Sequence, residues 1–161
     1  MFIRTASERD LPAVSRLIAE SLHASHNAFY GAETVARIAA MVFSVGSLKE
    51  AMHRPRSEFL VADDGEAIAG AAFAAASDEE GRVVDLVGLF VVPALAGRGI
   101  GGMLLQEIEE SFFESERIRL ELDARNARAL GFFSAEGYET VSDRRDETLD
   151  TTLATLGKSL V

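Results

Sequence analysis

The stretch LFVVPALAGRGIGGMLL at residues 89–105 decides how this chain folds. An apolar run ends at Pro93, four glycines follow within six residues, and Leu104 and Leu105 begin an amphipathic pattern. This pattern predicts a buried strand, a tight turn and a helix. Glycines in such a turn let the backbone approach a ligand closely, and the first amides of a helix carry partial positive charge. The turn is therefore predicted to hold a phosphate or pyrophosphate group.

On the N-terminal side of this stretch, hydrophobic periodicity predicts a strand, several helices and a hairpin. FIRTA is a short strand, and Ser7 and Asp10 provide capping chemistry for the helix that follows. The apolar face of that helix comprises Leu11, Val14, Ile18 and Leu22. The pattern at residues 24–54 predicts one or two shorter helices connected by polar segments such as HNAFYGAE. EFLVA and AIAGAAFAAAS predict a hairpin, and DEEG at residues 78–81 predicts a second turn.

On the C-terminal side, strands and helices alternate. RVVDLVGLFVV is a long buried strand, and the helix after the glycines runs from about Gly101 to Glu114. IRLELD is a strand, Asn126 to Glu136 a helix that Gly137 ends, and YETVSD and TTLATLGKSL are closing strands. The predicted order is βααββββαβαββ, on a mixed, mostly antiparallel sheet in one α/β domain spanning residues 1–161.

Composition excludes several function classes. The chain of 161 residues has a net charge of −10, which argues against binding nucleic acid through phosphates and is mildly compatible with cationic substrates. It contains no cysteine, so disulfides and thiolate metal sites are ruled out. Neither a signal-like segment nor an apolar run of membrane-spanning length is found. We therefore expect a cytoplasmic protein that binds neither membrane nor nucleic acid.

The glycine turn also matches a rival motif. Gly97, Gly99 and Gly102 satisfy G-x-G-x-x-G, and Asp123 follows about 20 residues later at a strand end, as in dinucleotide-binding proteins. That motif begins directly at the end of a first strand, however, whereas residues 93–96 intervene here. A Walker P-loop is excluded because no Lys-Ser/Thr pair follows the glycines.

Two segments resemble the GCN5-related N-acetyltransferase (GNAT) superfamily. The run at residues 89–105 resembles its acetyl-CoA motif, Q/R-x-x-G-x-G/A, with Gly99 and Gly101 at the two small positions. LELDARNARALGFFSAEGY resembles the following motif, N-x-x-A-x-x-F/L-Y-x-x-x-G-F/Y. The matching positions are Asn126, Ala129, Phe132, Gly137 and Tyr138. The resemblance implies a GNAT-like sheet flanked by helices and transfer of acetyl from acetyl-CoA to a primary amine, with no metal. A homodimer is common in such proteins.

The resemblance also implies which residues contact the cofactor. The backbone of Phe90 and Val91 would pair with the pantetheine arm, and a bulge at Gly88 would open the strand there. Asn126 would bond the pantetheine region, or it serves only as a helix N-cap. The amides that would hold the pyrophosphate belong to Ala96, Gly97, Arg98, Gly99, Ile100, Gly101 and Gly102.

For catalysis, a base must accept the proton of the acceptor's ammonium group. Asp85 is the first candidate, because family members often carry an acid at this point of the strand, and Glu121 and Asp123 are alternatives. The Val91 amide would polarise the thioester carbonyl. His23 and His26 lack further ligands for a metal, so they line the acceptor pocket or an exposed helix end.

Two positions depart from the family pattern. Ala96 replaces the usual Gln or Arg, which weakens cofactor binding without abolishing it because the contacts there are mostly through backbone. Phe133 replaces the usual Tyr, the general acid of many members, and Ser134 or Tyr138 are the available substitutes. The sequence thus leaves two functions open, an active acetyltransferase and a non-catalytic acyl-CoA-binding module.

Overall fold

A computed structural model describes residues 1–77 and 82–161 of the chain. Its strands are β1 Phe2–Thr5, β2 Ser57–Asp63, β3 Ile68–Ala76, β4 Val83–Val91, β5 Arg117–Asp123, β6 Glu139–Asp146 and β7 Thr151–Ser159. Its helices are α1 Leu11–Tyr30, α2 Ala32–Val42, α3 Val45–Met52, α4 Ile100–Ser111 and α5 Ala127–Ala135. Short 3-10 turns at Glu8–Asp10 and Pro93–Leu95 precede α1 and the glycine turn.

Within these described ranges, seven strands form one sheet in the order β1-β2-β3-β4-β5-β7-β6. All neighbouring strands are antiparallel except β4 and β5, which are parallel. The mixed, mostly antiparallel sheet flanked by helices confirms the predicted fold class.

The predicted order of elements is wrong between β1 and α4. Three helices and then three strands occur there, not two helices and four strands. HNAFY, predicted to be part of a polar connecting segment, continues α1 to Tyr30, and the helix ends where Gly31 adopts a φ of +81°. A polar stretch can remain helical when the helix already has a buried face to hold it. The predicted turn DEEG at residues 78–81 lies outside the described residues.

Helices cover both faces of the sheet. On one face, α4 buries its apolar side mainly against β2, β3 and β4. On the other face, α1 and α3 pack against β2 and β3, with Leu11, Val14 and Ile18 almost fully buried as the periodicity of α1 predicts. The capping box of Ser7 and Asp10 is present at the start of this segment. The sheet is thus held rigidly between two apolar layers.

The parallel strands β4 and β5 separate along their length. They pair only over Val83–Asp85 and Arg117–Arg119, whereas β5 continues to pair with β7 as far as Asp123. The separation follows a bulge in β4, where Phe73 pairs with Gly88 and the next pair is Ala74 with Leu86. Val87 is the extra residue, so the predicted bulge is present, one residue before Gly88. A bulge bends its strand, and here it opens a gap in the sheet.

Gly88 is needed at this bulge because of space. A Cβ atom on Gly88 would lie 2.6 Å from the ring of Phe73 and 2.7 Å from that of Phe90. Real Cβ atoms do not approach neighbours this closely, so any larger residue would displace the aromatic rings.

Candidate active site

The β4 side of the gap presents backbone groups. The Val92 amide donates to the Ala69 carbonyl across β3 at 2.9 Å, and the register is regular from there back to Gly88. Because successive residues of a strand direct their amides to opposite edges, Phe90 faces β3 while Leu89 and Val91 face the gap. The Val91 amide therefore faces the gap. The Phe90 backbone is bonded to β3 and, contrary to the prediction for Phe90, is not available to a ligand in the gap; the gap-facing backbone groups here are those of Leu89 and Val91.

The glycine turn lies at the end of β4 and carries a row of unpaired amides. Gly97 and Gly99 have φ values of +80° and +84°, with nothing within 4 Å of either Cβ position. Conformation, not space, therefore requires glycine at both positions. Hydrogen bonding in α4 begins with the Met103 amide, which donates to Gly99 at 3.1 Å. In the described parts of the chain, none of the amides of residues 97–102 has an acceptor.

These amides have the chemistry of an anion site. The four first amides of any helix lack partners within it, and the helix dipole adds positive potential at the same place. The exposed guanidinium of Arg98 adds a full positive charge in the turn. Of the amides predicted to bind the pyrophosphate, those of residues 97–102 are unpaired in the described chain. The prediction is wrong for the Ala96 amide, which donates to the Pro93 carbonyl at 3.2 Å.

Gly101 and Gly102 have a second role that the sequence did not suggest. A Cβ on Gly101 would lie 3.4 Å from the Phe132 ring, and one on Gly102 would lie 3.2 Å from Glu136. Both glycines therefore lie close to side chains of α5 and of the residue that follows it.

The residues of the second motif are mostly structural. The Asn126 side-chain oxygen accepts the Ala129 amide at 3.1 Å, so the helix-cap role is the one observed for Asn126. Phe133 is buried, and its ring makes edge contacts with Phe132 and Tyr138.

Tyr138 is also unsuited to replace the missing acid. Its hydroxyl donates to Glu109 at 3.2 Å, and the Lys158 ammonium donates to the same carboxylate at 2.7 Å. Burial raises the pKa of Tyr138 far above its usual value, with the Glu109 charge adding to the effect. The proposal of Tyr138 as a substitute acid is therefore wrong, and Ser134 is merely exposed on α5.

Each of the three candidate bases is paired with an arginine. Arg119 donates to Asp85 at 2.6 Å, Arg144 to Glu121 at 2.6 Å, and Arg125 to Asp123 at 2.9 Å. Hydrogen bonds from Arg144 lower the pKa of Glu121. Those from Arg125, with help from Tyr30, hold the pKa of Asp123 well below its usual value. A carboxylate with a lowered pKa is a weaker base, which counts against Glu121 and Asp123.

Asp85 stands where the gap opens, and it shares a cavity with Glu121. The cavity encloses about 550 Å³. Its lining residues are Asp85, Leu86, Val87, Arg119, Leu120, Glu121, Ser142 and Thr155. Asp123 does not line this cavity, so the structure brings together two of the three candidate bases.

The two histidines do not form a metal site. His23 bonds Asn27 at 2.9 Å, and His26 stacks on Tyr30 with ring centroids 5.7 Å apart. Burial lowers the pKa of His26. No group of three His, Cys, Asp or Glu side chains able to hold a metal occurs within residues 1–77 and 82–161.

Sequence reasoning missed the cluster that joins α1 to the end of β5. The Tyr30 hydroxyl donates to buried Asp123 at 2.5 Å, and Arg125 lies over the rings of Phe29 and Tyr30. Tyr30 and Asp123 are 93 positions apart, and no local pattern links them. The only available signal was the aromatic pair that ends the predicted helix.

Comparison with known proteins defines the class. Residues 13–138 match the model of the Acetyltransferase (GNAT) family. The match spans most of the chain, so the protein belongs to this family. No curated protein matches the sequence.

Solved structures share the fold at low sequence identity. The PaiA N-acetyltransferase from Thermoplasma acidophilum, in complex with coenzyme A, is 20% identical, with a TM-score of 0.87 over 98% of each chain. The ribosomal-protein-S18-alanine N-acetyltransferase from Escherichia coli is 16% identical, with a TM-score of 0.75 over 99% of this chain and 93% of the other. An aminoglycoside 6'-N-acetyltransferase complexed with coenzyme A is 17% identical, with a TM-score of 0.70 over 100% and 98%. Within the described residues, no helix is long and apolar enough to span a bilayer.

Proposed function

We propose that this protein transfers an acetyl group from acetyl-CoA to a primary amine. One observation carries the proposal: the gap between β4 and β5 leads to a turn whose six amides, at residues 97–102, have no acceptor in the described chain. A cleft with backbone donors along one wall and an anion site at its mouth suits an extended ligand with a pyrophosphate. The coenzyme A complexes of two structural neighbours support this ligand.

Acetyl-CoA as co-substrate would lie along the gap edge of β4. The Leu89 and Val91 backbones would pair with the pantetheine arm, and the amides of residues 97–102 would bind the pyrophosphate. Arg98 adds charge attraction. Ala96 offers no side-chain contact, so affinity depends on the backbone, whose donors are already in place before the ligand arrives.

The chemistry requires an uncharged amine. Asp85, directly or through a water molecule, takes a proton from the acceptor's ammonium group. The amine nitrogen then forms a bond to the thioester carbon, and the Val91 amide stabilises the negative charge on the carbonyl oxygen. The nitrogen loses its second proton to solvent, the carbon–sulfur bond breaks, and the coenzyme leaves as a thiolate that takes a proton from solvent.

These steps need no side-chain acid to protonate the thiolate, so they can proceed with Phe133 in place of the usual Tyr. A thiol has a pKa of about 8.5, so its thiolate is an acceptable leaving group near neutral pH. General acid catalysis typically contributes about 10²–10⁴-fold. We expect the rate lost through the missing general acid to lie near the lower limit of this range.

Thermal unfolding against acetyl-CoA tests the proposal, with NAD as the control for the rival dinucleotide motif. A ligand at 100 times its Kd adds about 2.7 kcal/mol to the free energy of unfolding. We expect acetyl-CoA to raise the Tm and NAD to leave it unchanged. In an activity assay, thiol should be released from acetyl-CoA only when an amine is present. An unchanged Tm at millimolar acetyl-CoA would refute the proposal.

A non-catalytic acyl-CoA-binding module is the second candidate. Two observations favour it: Phe133 lies in place of the usual acid, and all three candidate carboxylates are ion-paired. Acetyl-CoA binding without thiol release, across a wide range of amines, would support this module over the enzyme.

A further inference from the structure

Arg125 lies at the end of the gap where β5 stops. Because β4 and β5 are parallel, their last residues, Val91 and Asp123, belong to the same edge of the sheet. Arg125 follows Asp123 by two residues and so borders the region where the acetyl group would be transferred. The α1 helix reaches this region with its final turn, through Phe29 and Tyr30.

The guanidinium of Arg125 is held from two sides. Its Nε donates to Asp123 Oδ1 at 3.1 Å and its Nη2 to Oδ2 at 2.9 Å, while the Tyr30 hydroxyl donates to the same carboxylate. Its Cζ lies 4.9 Å from the Phe29 ring centroid and 5.5 Å from that of Tyr30. Asp123 itself is 1% exposed at its side chain. These contacts orient the guanidinium before any ligand binds.

Part of this guanidinium remains available. The Arg125 side chain is 44% exposed, and Nη1 has no acceptor among the described residues. A guanidinium carries five N–H donors, and Asp123 occupies only the edge formed by Nε and Nη2. The remaining donors suit a carboxylate, whose two oxygens match their spacing.

The charges on this side of the gap are balanced. Asp85, Glu121 and Asp123 each have an arginine partner, so the chain's overall charge of −10 does not arise from them. A purely cationic acceptor would meet no unpaired carboxylate among these three. An acceptor whose amine enters the gap can place an anionic group on the free donors of Arg125, at the end of β5.

We propose that Arg125 binds a carboxylate of the acceptor, and that the acceptor is therefore an amino acid or a short peptide with a free carboxylate. This inference rests on the proposed function. It names Arg125 as the residue that sets acceptor specificity, and it assigns Phe29 and Tyr30 to holding Arg125 in position.

Matched acceptors test the inference. Each of the twenty L-amino acids, and the dipeptides Gly-Gly and Ala-Ala, is assayed beside its C-terminal amide by thiol release from acetyl-CoA. We expect at least one free acid to have a kcat/KM ten or more times that of its amide. R125Q should lower kcat/KM for that acid by about 10- to 100-fold, chiefly through KM, because a hydrogen bond to a charged group is lost. The amide should change little.

Two further variants sharpen the result. R125K keeps the charge but not the paired donors, and should restore only part of the preference for the acid. R128Q removes a neighbouring arginine that is exposed on α5, and should leave both acceptors unchanged. Acetyl-CoA should raise the Tm of all variants equally, since Arg125 does not contact the glycine turn.

Several results would overturn the inference. They are amides accepted as well as acids, a preference for acids that survives R125Q, and transfer confined to amines without a carboxylate, such as polyamines or aminoglycosides. Acetyl-CoA binding with no transfer to any acid counts against it as well. The proposed function fails by a different readout, the loss of the acetyl-CoA effect on Tm.

Discussion

The two walls of the gap between β4 and β5 are built differently. The β4 wall, with the glycine turn at its end, presents backbone amides from residues that are adjacent in the chain. The β5 wall presents side chains in ion pairs, whose partners come from other strands or loops. A backbone wall keeps its chemistry when side chains change, whereas a side-chain wall depends on each partner. This difference explains how Ala96 can replace a Gln or Arg while the row of unpaired amides at residues 97–102 remains.

The largest effect is expected among the ion-paired side chains, at Asp85 of β4, whose partner is Arg119 of β5. D85N removes the proposed base but keeps the size of the side chain and an oxygen that Arg119 can bond. We expect kcat to fall by about 10²–10⁴-fold with acetyl-CoA affinity retained. Steady-state kinetics and a thermal titration measure the two quantities. D143N, at an exposed position on β6, is the matched control. Equal rates in the two variants would exclude Asp85 as the base.

On the β4 side, Gly99 is the most sensitive position. G99V forces a β-branched residue into a φ of +84°, so the turn must rearrange and its amides lose their alignment. We expect acetyl-CoA affinity to fall by about 100-fold, because hydrogen bonds to a charged group are lost. Calorimetric titration gives the Kd.

G65V provides the control for backbone strain. Gly65, in the hairpin between β2 and β3, has a φ of +97° and equally open surroundings. G65V should lower Tm as G99V does but leave acetyl-CoA affinity intact. A similar loss of affinity in both variants would mean that strain, not the cradle, is measured.

The buried carboxylate of Asp123 predicts how stability depends on pH. Its pKa is held well below the unfolded value, so its contribution is present above about pH 4 and is lost as the pH falls further. D123N should lower the free energy of unfolding at pH 7 by about 1–3 kcal/mol and flatten the decline in acid. Urea titrations from pH 3 to 7 measure both.

Some decline in acid should remain in D123N. Asp10, whose pKa Arg4 also holds low, loses its contribution over the same range. A D123N profile parallel to that of the unmodified protein would show that Asp123 does not contribute in this way.

The smallest effect concerns the side chain missing from the turn. A96R restores a residue typical of the family at an exposed position, and the added charge can approach the pyrophosphate. An exposed ion pair contributes about 0.2–1 kcal/mol, so we expect acetyl-CoA to bind up to about 5-fold more tightly. A94R, on the preceding exposed residue, should gain less. Equal gains would indicate general charge attraction only.

The sequence predicted the β4 wall better than the β5 wall, for a physical reason. The bulge near Gly88, the turn at residues 97–102 and the Val91 amide depend on neighbours in the chain, and local patterns indicate them. The pairing of Asp85 with Arg119 and of Tyr30 with Asp123 joins residues 34 and 93 positions apart, which periodicity cannot reveal.

The errors of the sequence-based predictions also arise from contacts between residues that are distant in the chain. Phe90 is an apolar strand residue like its neighbours, and only the register with β3 shows which way its backbone faces. Tyr138 fits the family pattern, yet the contact with Glu109 on α4 that excludes it as an acid arises from packing. α1 extended further than predicted because its last turn, through Tyr30, packs beside β5, a contact made only in the folded chain.

Val87 ties the shape of the sheet to a single position. It has no partner in β3, whereas the residues on either side of it pair, Leu86 with Ala74 and Gly88 with Phe73. Deleting Val87 would leave these two pairs in register, and β4 could then run along β3 without a bulge. The residue count of β4 therefore decides whether the strand bends at this point.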